Sequence, residues 1–198
     1  MRVEVPLRHA YKLINHGPTT LVTSAAGGRS NVMASAWVGA LDTDPPRITA
    51  VISADSFTRS LIEKSGEFVV NLPTIEMVEV TLGAGKVSGR EADKIAALGL
   101  KTADAGRVAA PLIEGCVGWL ECRLLDEPAM RERYDLLLAE VVAAWADDRV
   151  FVDGAWHFEA APRLRTLHHV AKGIFLASGE RIEVRADGKG VLPRAAVL

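Results

Sequence analysis

The 198-residue sequence predicts a mainly antiparallel β fold with short helices, on three observations. Runs rich in β-branched residues recur at strand length. Gly27-Gly28 and Asp42-Thr43-Asp44-Pro45-Pro46 separate such runs as turns. The helical stretches between them are brief and carry their own start and stop residues.

Taken in order, Pro6 precedes an apolar stripe of Ala10, Leu13 and Ile14 that predicts a helix over residues 8–15, ended by Gly17-Pro18 and expected to cap a barrel. Residues 20–24 and 31–39 read as paired strands about the Gly27-Gly28 reversal. Residues 47–53 form a third strand with Ile48, Ala50 and Ile52 on one side. Residues 54–66 form a helix with Asp55 or Ser56 as N-cap and Gly66 as its stop. A strand at 67–73 and a short helix at 75–82 follow. Ser88-Gly-Arg-Glu91 reads as a capping box opening a helix at 90–98, which Gly99 stops. Residues 115–125 and 134–145 are the next strand pair. The second is ambiguous with a helix on its Leu and Ala content, and reads as a strand because Tyr134, Val141, Val142 and Trp145 favour β. Beyond Val150 come a short strand, a loop around Pro162, a strand near 174–176 and a Gly-rich polar end. Without repeats or a linker, residues 1–198 are expected to form one domain.

Composition narrows the function. A chain of this length buries roughly 70% of its unfolded surface. With 49% hydrophobic and 24% charged residues and a formal charge of −2, it has no general electrostatic attraction to nucleic acid or anionic membrane. The opening residues form no signal peptide and no apolar run approaches a membrane span, so a cytoplasmic location is the expectation. Cys116 and Cys122, on one predicted strand, would stand roughly 20 Å apart, beyond disulfide reach. Buried, reduced thiols are expected. The five histidines show no metal-binding spacing, and successive strand residues His168 and His169 face opposite ways.

Three features bear on a ligand. The run Asn31-Val-Met-Ala-Ser-Ala-Trp-Val-Gly39 is strand-like yet carries small residues at Ala34, Ser35, Ala36 and Gly39. These leave its backbone approachable by something flat, or serve a close sheet contact. Arg59 falls in the first turn of its helix, where the macrodipole disfavours a cation. Either its side chain points to solvent, or an anion sits there on the backbone N–H groups, Ser56, Thr58 and the guanidinium. Lys94, read alone, is an ordinary solvated lysine. The segment Gly83–Gly89 lacks both dinucleotide and Walker spacing.

The succession GPTTLVTS, NVMASAWVG, DTDPPRITAVIS, SFTRSLIEKSGEFVVNLP, SGREADKIAALGL and GWLEC resembles the flavin reductase-like, FMN-binding split-barrel family, its flavoredoxin-type members in particular. The resemblance spans about residues 10–145. It implies a six-stranded Greek-key barrel, a homodimer and FMN at or near the subunit interface. By position it implies that Asn31 and Trp37 contact the flavin, that the Met33, Ala34, Ser35 and Ala36 backbone faces the ring, and that Thr58 lies on the phosphate side. Ser53, Ser56 and Arg59 join that cofactor-binding set, and Lys94 falls near phosphate or ring. Tyr134 and Ala139 stand where members often have histidine and glycine, and a tyrosine cannot become cationic. Phe175 is the candidate aromatic that covers the pocket. The implied activity is hydride transfer from NAD(P)H to flavin, with a redox-protein or monooxygenase partner, and an FMN electron carrier is the alternative.

Overall fold

The computed structural model describes residues 1–182, and the Gly-rich polar end expected of the sequence lies outside them. The strands are β1 (Arg2–Glu4), β2 (Thr20–Ala26), β3 (Arg29–Ser35), β4 (Val38–Thr43), β5 (Pro46–Val51), β6 (Glu67–Leu72), β7 (Thr102–Ala103), β8 (Leu112–Ile113), β9 (Gly118–Leu124), β10 (Leu136–Asp147), β11 (Phe151–Val152), β12 (Ala155–Trp156), β13 (Leu167–Ala171) and β14 (Ile174–Ala177). The α-helices are α1 (Tyr11–Ile14), α2 (Phe57–Ser65), α3 (Val78–Ala84), α4 (Lys94–Ala97) and α5 (Pro128–Tyr134).

The main sheet is antiparallel in the order β3-β2-β6-β9-β10-β5-β4, with β1 added alongside β10. It is thus eight-stranded, not six-stranded as the resemblance implied. Residues 31–39, expected as one strand, belong to two strands in the structure. β3 pairs with β2 at one end of the order, and β4 pairs with β5 at the other. Only Ala36 and Trp37 lie between them. A sheet whose two ends are joined by two residues must curl round until its edges meet, so residues 36–37 form the seam of a split barrel. Apolarity continues through the seam, which is why periodicity did not reveal the break.

Alternation along the strands builds two cores. Val22, Ile48, Ala50, Ile52, Phe68, Val70, Leu120, Cys122, Leu137 and Ala139 fill the barrel, with the predicted face of β5 among them. Leu21, Val32, Val69, Ile113 and Trp119 pack outward beneath the helices and the 105–113 segment. Both faces of the central strands are therefore buried. Asn71 pins the outer layer: its Nδ2 donates to Leu21 O at 2.8 Å and its Oδ1 accepts from Ile113 N–H at 2.8 Å. Glu121, fully buried, accepts from Gly106 N–H and Trp145 Nε1–H.

Helix α2 begins as its sequence requires. Ser56 Oγ accepts from Arg59 N–H at 3.1 Å and Gly66 stops the helix at φ 73°. Two other readings need correction. The helix expected at 90–98 is only α4, capped by Asp93, whose side chain accepts from Ala96 N–H. Ser88 Oγ instead accepts from Arg90 N–H in a turn. Tyr134 does not open a strand; it ends α5, which starts at Pro128 and closes on Asp135 at φ 55°. Cys116 lies ahead of β9, and both cysteines are buried and free, with burial pushing their thiol pKa up.

Candidate cofactor cleft

Because β3 ends the sheet, the backbone groups on its outer side have no strand partner among the described residues. A cleft runs along this free edge as two adjoining cavities that share Ala34, Gly85 and Lys86. The first, about 240 Å³, is lined by Ser35, Ala36, Thr81 and, from the β13–β14 hairpin, His169 and Phe175. The second, about 380 Å³, is lined by Asn31, Met33, Ser53, Ser56, Thr58 and Lys94. One cavity is thus faced by small residues and an aromatic ring, the other by hydroxyls, an amide and an ammonium, with Asp55 also on its wall.

The polar cavity is built to donate. Asn31 Nδ2 donates to Thr58 Oγ1 at 2.7 Å, which leaves the threonine O–H free to donate in turn. Helix α2 starts here. Of its first N–H groups, that of Arg59 goes to Ser56 Oγ and that of Ser60 to Ser56 O, while Phe57 and Thr58 precede any intrahelical partner. Lys94 is 6% exposed and burial lowers its pKa. Its Nζ donates to Ala84 O at 2.7 Å, which uses one of three N–H bonds. Donors without acceptors around a helix start suit an anion such as phosphate.

Sequence reasoning missed the residues that hold this end together. A Cβ on Gly89 would stand 2.1 Å from Asn31 Oδ1 and 2.7 Å from Phe57, so the loop passes as close as only glycine allows. Arg29 donates to Gly89 O at 2.8 Å and lies over the Phe57 ring at 4.4 Å. Arg90 lies over the same ring at 5.7 Å and donates to Asp55 O. The glycine content of residues 83–89 was the available signal. Thr81 and His169 in the first cavity carried no sequence signal.

Asn31, Met33, Ala34, Ser35, Ala36, Ser53, Ser56, Thr58, Lys94 and Phe175 are brought together along the cleft. Three predicted residues are not. Arg59 is 3% exposed and turns away: its guanidinium bonds Glu63 Oε1 at 2.7 Å and Ile52 O at 2.8 Å, and donates to Arg131 O at 3.2 Å. Its charge is met by protein on the far side of α2, so neither solvent nor a bound anion is needed. The Trp37 indole is 72% exposed at the seam, and Tyr134 is 54% exposed at the end of α5. Neither lines the cleft.

Among the described residues no His, Cys, Asp and Glu cluster could hold a metal ion, and no helix is long and apolar enough to cross a membrane. Residues 14–164 match the flavin reductase-like domain. An uncharacterized protein of Escherichia coli K12, YddH, is 42% identical over 183 residues, covering 91% of this chain and 96% of the relative. The crystal structure of an FMN-binding domain of a flavin reductases-like enzyme from Shewanella baltica superposes with a TM-score of 0.90 at 41% identity, covering 93% of this chain and 98% of that one. The flavoredoxin of Desulfovibrio vulgaris (Miyazaki F) superposes with a TM-score of 0.76 at 25% identity, covering 88% and 93%. The barrel, its cleft and these matches agree: the chain belongs to the flavin reductase-like domain family.

Proposed function

We propose that this protein binds FMN and catalyses hydride transfer from NAD(P)H to flavin. The observation that carries the reading is the division of the cleft into a donor-rich cavity and an apolar, small-residue one that share Ala34, Gly85 and Lys86. That division matches a ligand with an anionic end and a flat ring. The donor set fits a phosphate, and the free edge of β3 fits a ring that hydrogen-bonds through its rim. The FMN-binding relative from Shewanella baltica supports it.

In this reading Thr58, Ser53, Ser56 and Lys94 hold the phosphate. Backbone groups from Ala34 to Ala36 orient the ring, and Phe175 with His169 excludes water from its outer side. Bound FMN would supply the hydride chemistry, which needs no protein nucleophile. The residues contribute position and fixed dipoles, with edge N–H groups set where negative charge would develop on the ring. The exposed Trp37, Leu41 and Tyr134 side chains support a homodimer that covers them.

An electron carrier without productive nicotinamide binding is the second reading. It is favoured by the flavoredoxin likeness and by Tyr134 standing on exposed α5, outside the cleft. In that case a redox protein or monooxygenase exchanges electrons with the flavin. Anaerobic mixing of the FMN-loaded protein with saturating NADH or NADPH separates the two. Bleaching near 450 nm within seconds is expected. A flavin that bleaches with dithionite and stays oxidised under both nicotinamides would overturn the reductase reading and leave the carrier.

A further inference from the structure

The β13–β14 hairpin lies across the apolar cavity of the cleft and meets its walls at both ends. At its root Thr19, which lines the cavity, donates its N–H to Leu167 O at 2.7 Å and accepts the His169 N–H on Oγ1 at 2.7 Å. The chain reverses at Lys172 and Gly173, whose φ angles are 50° and 84°. At that tip a Cβ on Gly173 would stand 3.4 Å from the side chain of Leu82, another lining residue. The hairpin thus bridges from the start of β2 to α3.

Strand alternation gives the hairpin two faces. His169 and Phe175 stand directly opposite in the register, their rings meet edge-on at 5.1 Å and 61°, and both residues line the cavity. His168 faces the other way, with Nδ1 3.0 Å from Gly17 O and its ring edge-on to His16. Of two successive histidines, one is committed to the protein and the other faces the ligand space. The other polar side chains of this cavity are less available. Thr19 Oγ1 and Ser35 Oγ accept from backbone N–H groups, Thr81 Oγ1 is sealed off from the cavity, and Lys86 also faces the donor-rich cavity. His169 is exposed, and its imidazole makes no hydrogen bond among the described residues, touching Phe175 instead. In either protonation state an imidazole keeps at least one N–H to donate.

We infer that His169 is the side chain that recognises the flavin ring, donating an N–H to its polar rim while Phe175 holds the imidazole in place. The inference rests on the cofactor reading, which puts the ring in this cavity. Reduction adds negative charge to the ring, so a donor at its rim favours the reduced over the oxidised form. His169 therefore sets the potential of the cofactor as well as its affinity.

The test compares the full-length protein with its His169→Leu and His169→Gln variants by flavin titration and potentiometry. Leucine keeps bulk and removes the donor, whereas glutamine keeps an N–H. His169→Leu should weaken oxidised FMN and riboflavin alike by about fivefold, the loss of one neutral hydrogen bond. It should also lower the midpoint potential of bound FMN by about 30 mV, which is a tenfold larger loss for reduced than for oxidised flavin in a two-electron couple. His169→Gln should bind both oxidised flavins within about twofold of the unsubstituted protein. Unchanged affinity and potential in His169→Leu overturn the inference, and so do equal losses in the two variants, because the role would then be packing. A loss confined to FMN would put His169 at the phosphate and overturn it as well. These three results leave the cofactor reading standing. Failure of the unsubstituted protein to bind FMN would instead bring down that reading and this inference with it.

Discussion

Asn31 on β3 and Thr58 on α2, 27 positions apart in the chain, are joined by a buried 2.7 Å hydrogen bond from Nδ2 to Oγ1. The bond ties the edge strand to the helix start and fixes the direction of the threonine O–H. Replacing Thr58 with Ala removes that donor without emptying the cavity. FMN affinity should fall by about 1.5–3 kcal/mol, the range for a hydrogen bond to a charged group, while riboflavin, which has no phosphate, changes far less. Titration of both flavins by fluorescence quenching measures it. Equal losses would remove Thr58 from the phosphate end.

Arg59 gives the opposite expectation. Its guanidinium closes a buried junction between Ile52 O, Glu63 and Arg131 O. Arg59→Met should cost about 3 kcal/mol of folding stability, because buried carbonyls lose their donor. The ratio of FMN to riboflavin affinity should stay as it was. Urea unfolding and the same pair of titrations report both quantities, and a selective loss of FMN would return Arg59 to the anion site.

Trp37 is 72% exposed, so truncating it should change protomer stability by no more than about 0.5 kcal/mol. If a second copy folds this indole over the cleft, Trp37→Ala weakens FMN and riboflavin alike and raises the dimer dissociation constant. Analytical ultracentrifugation alongside the flavin titrations follows both. Undiminished binding of both flavins would take Trp37 out of the site.

His16 makes stability depend on acid. Its folded pKa is lowered from 6.5 to about 4 by burial first and His168 second. Above pH 6.5 neither state carries the proton and nothing is lost. As pH falls from 6.5 towards 4 the unfolded chain takes up a proton that the folded chain refuses, so stability drops, by at most about 3 kcal/mol. His16→Gln should flatten that part of the profile. Comparing urea midpoints at pH 7 and pH 4.5 tests the sign, and an unchanged slope would mean that another group carries it.

The parts of this protein that depend on neighbours within a few residues were legible in its sequence. Ser56 and Gly66 bound α2 because capping is a local hydrogen bond and a local φ, and Ile48, Ala50 and Ile52 share a face because strand period is a property of the backbone. The anomaly at Arg59 was also real in the sequence, but its resolution came from Ile52, Glu63 and Arg131. Only the tertiary structure decided that. It likewise decided that residues 31–39 break at Ala36-Trp37, since the apolar run satisfies a strand at either end and only the two pairings, with β2 and with β5, pull it apart. Tyr134 went to a helix because Pro128 and Asp135 fix the ends of α5, signals overshadowed by a β-rich run just downstream. Lys94 meets Thr58 across 36 positions of chain in one cavity. That meeting follows from how the sheet closes, and no local pattern in either segment encodes it.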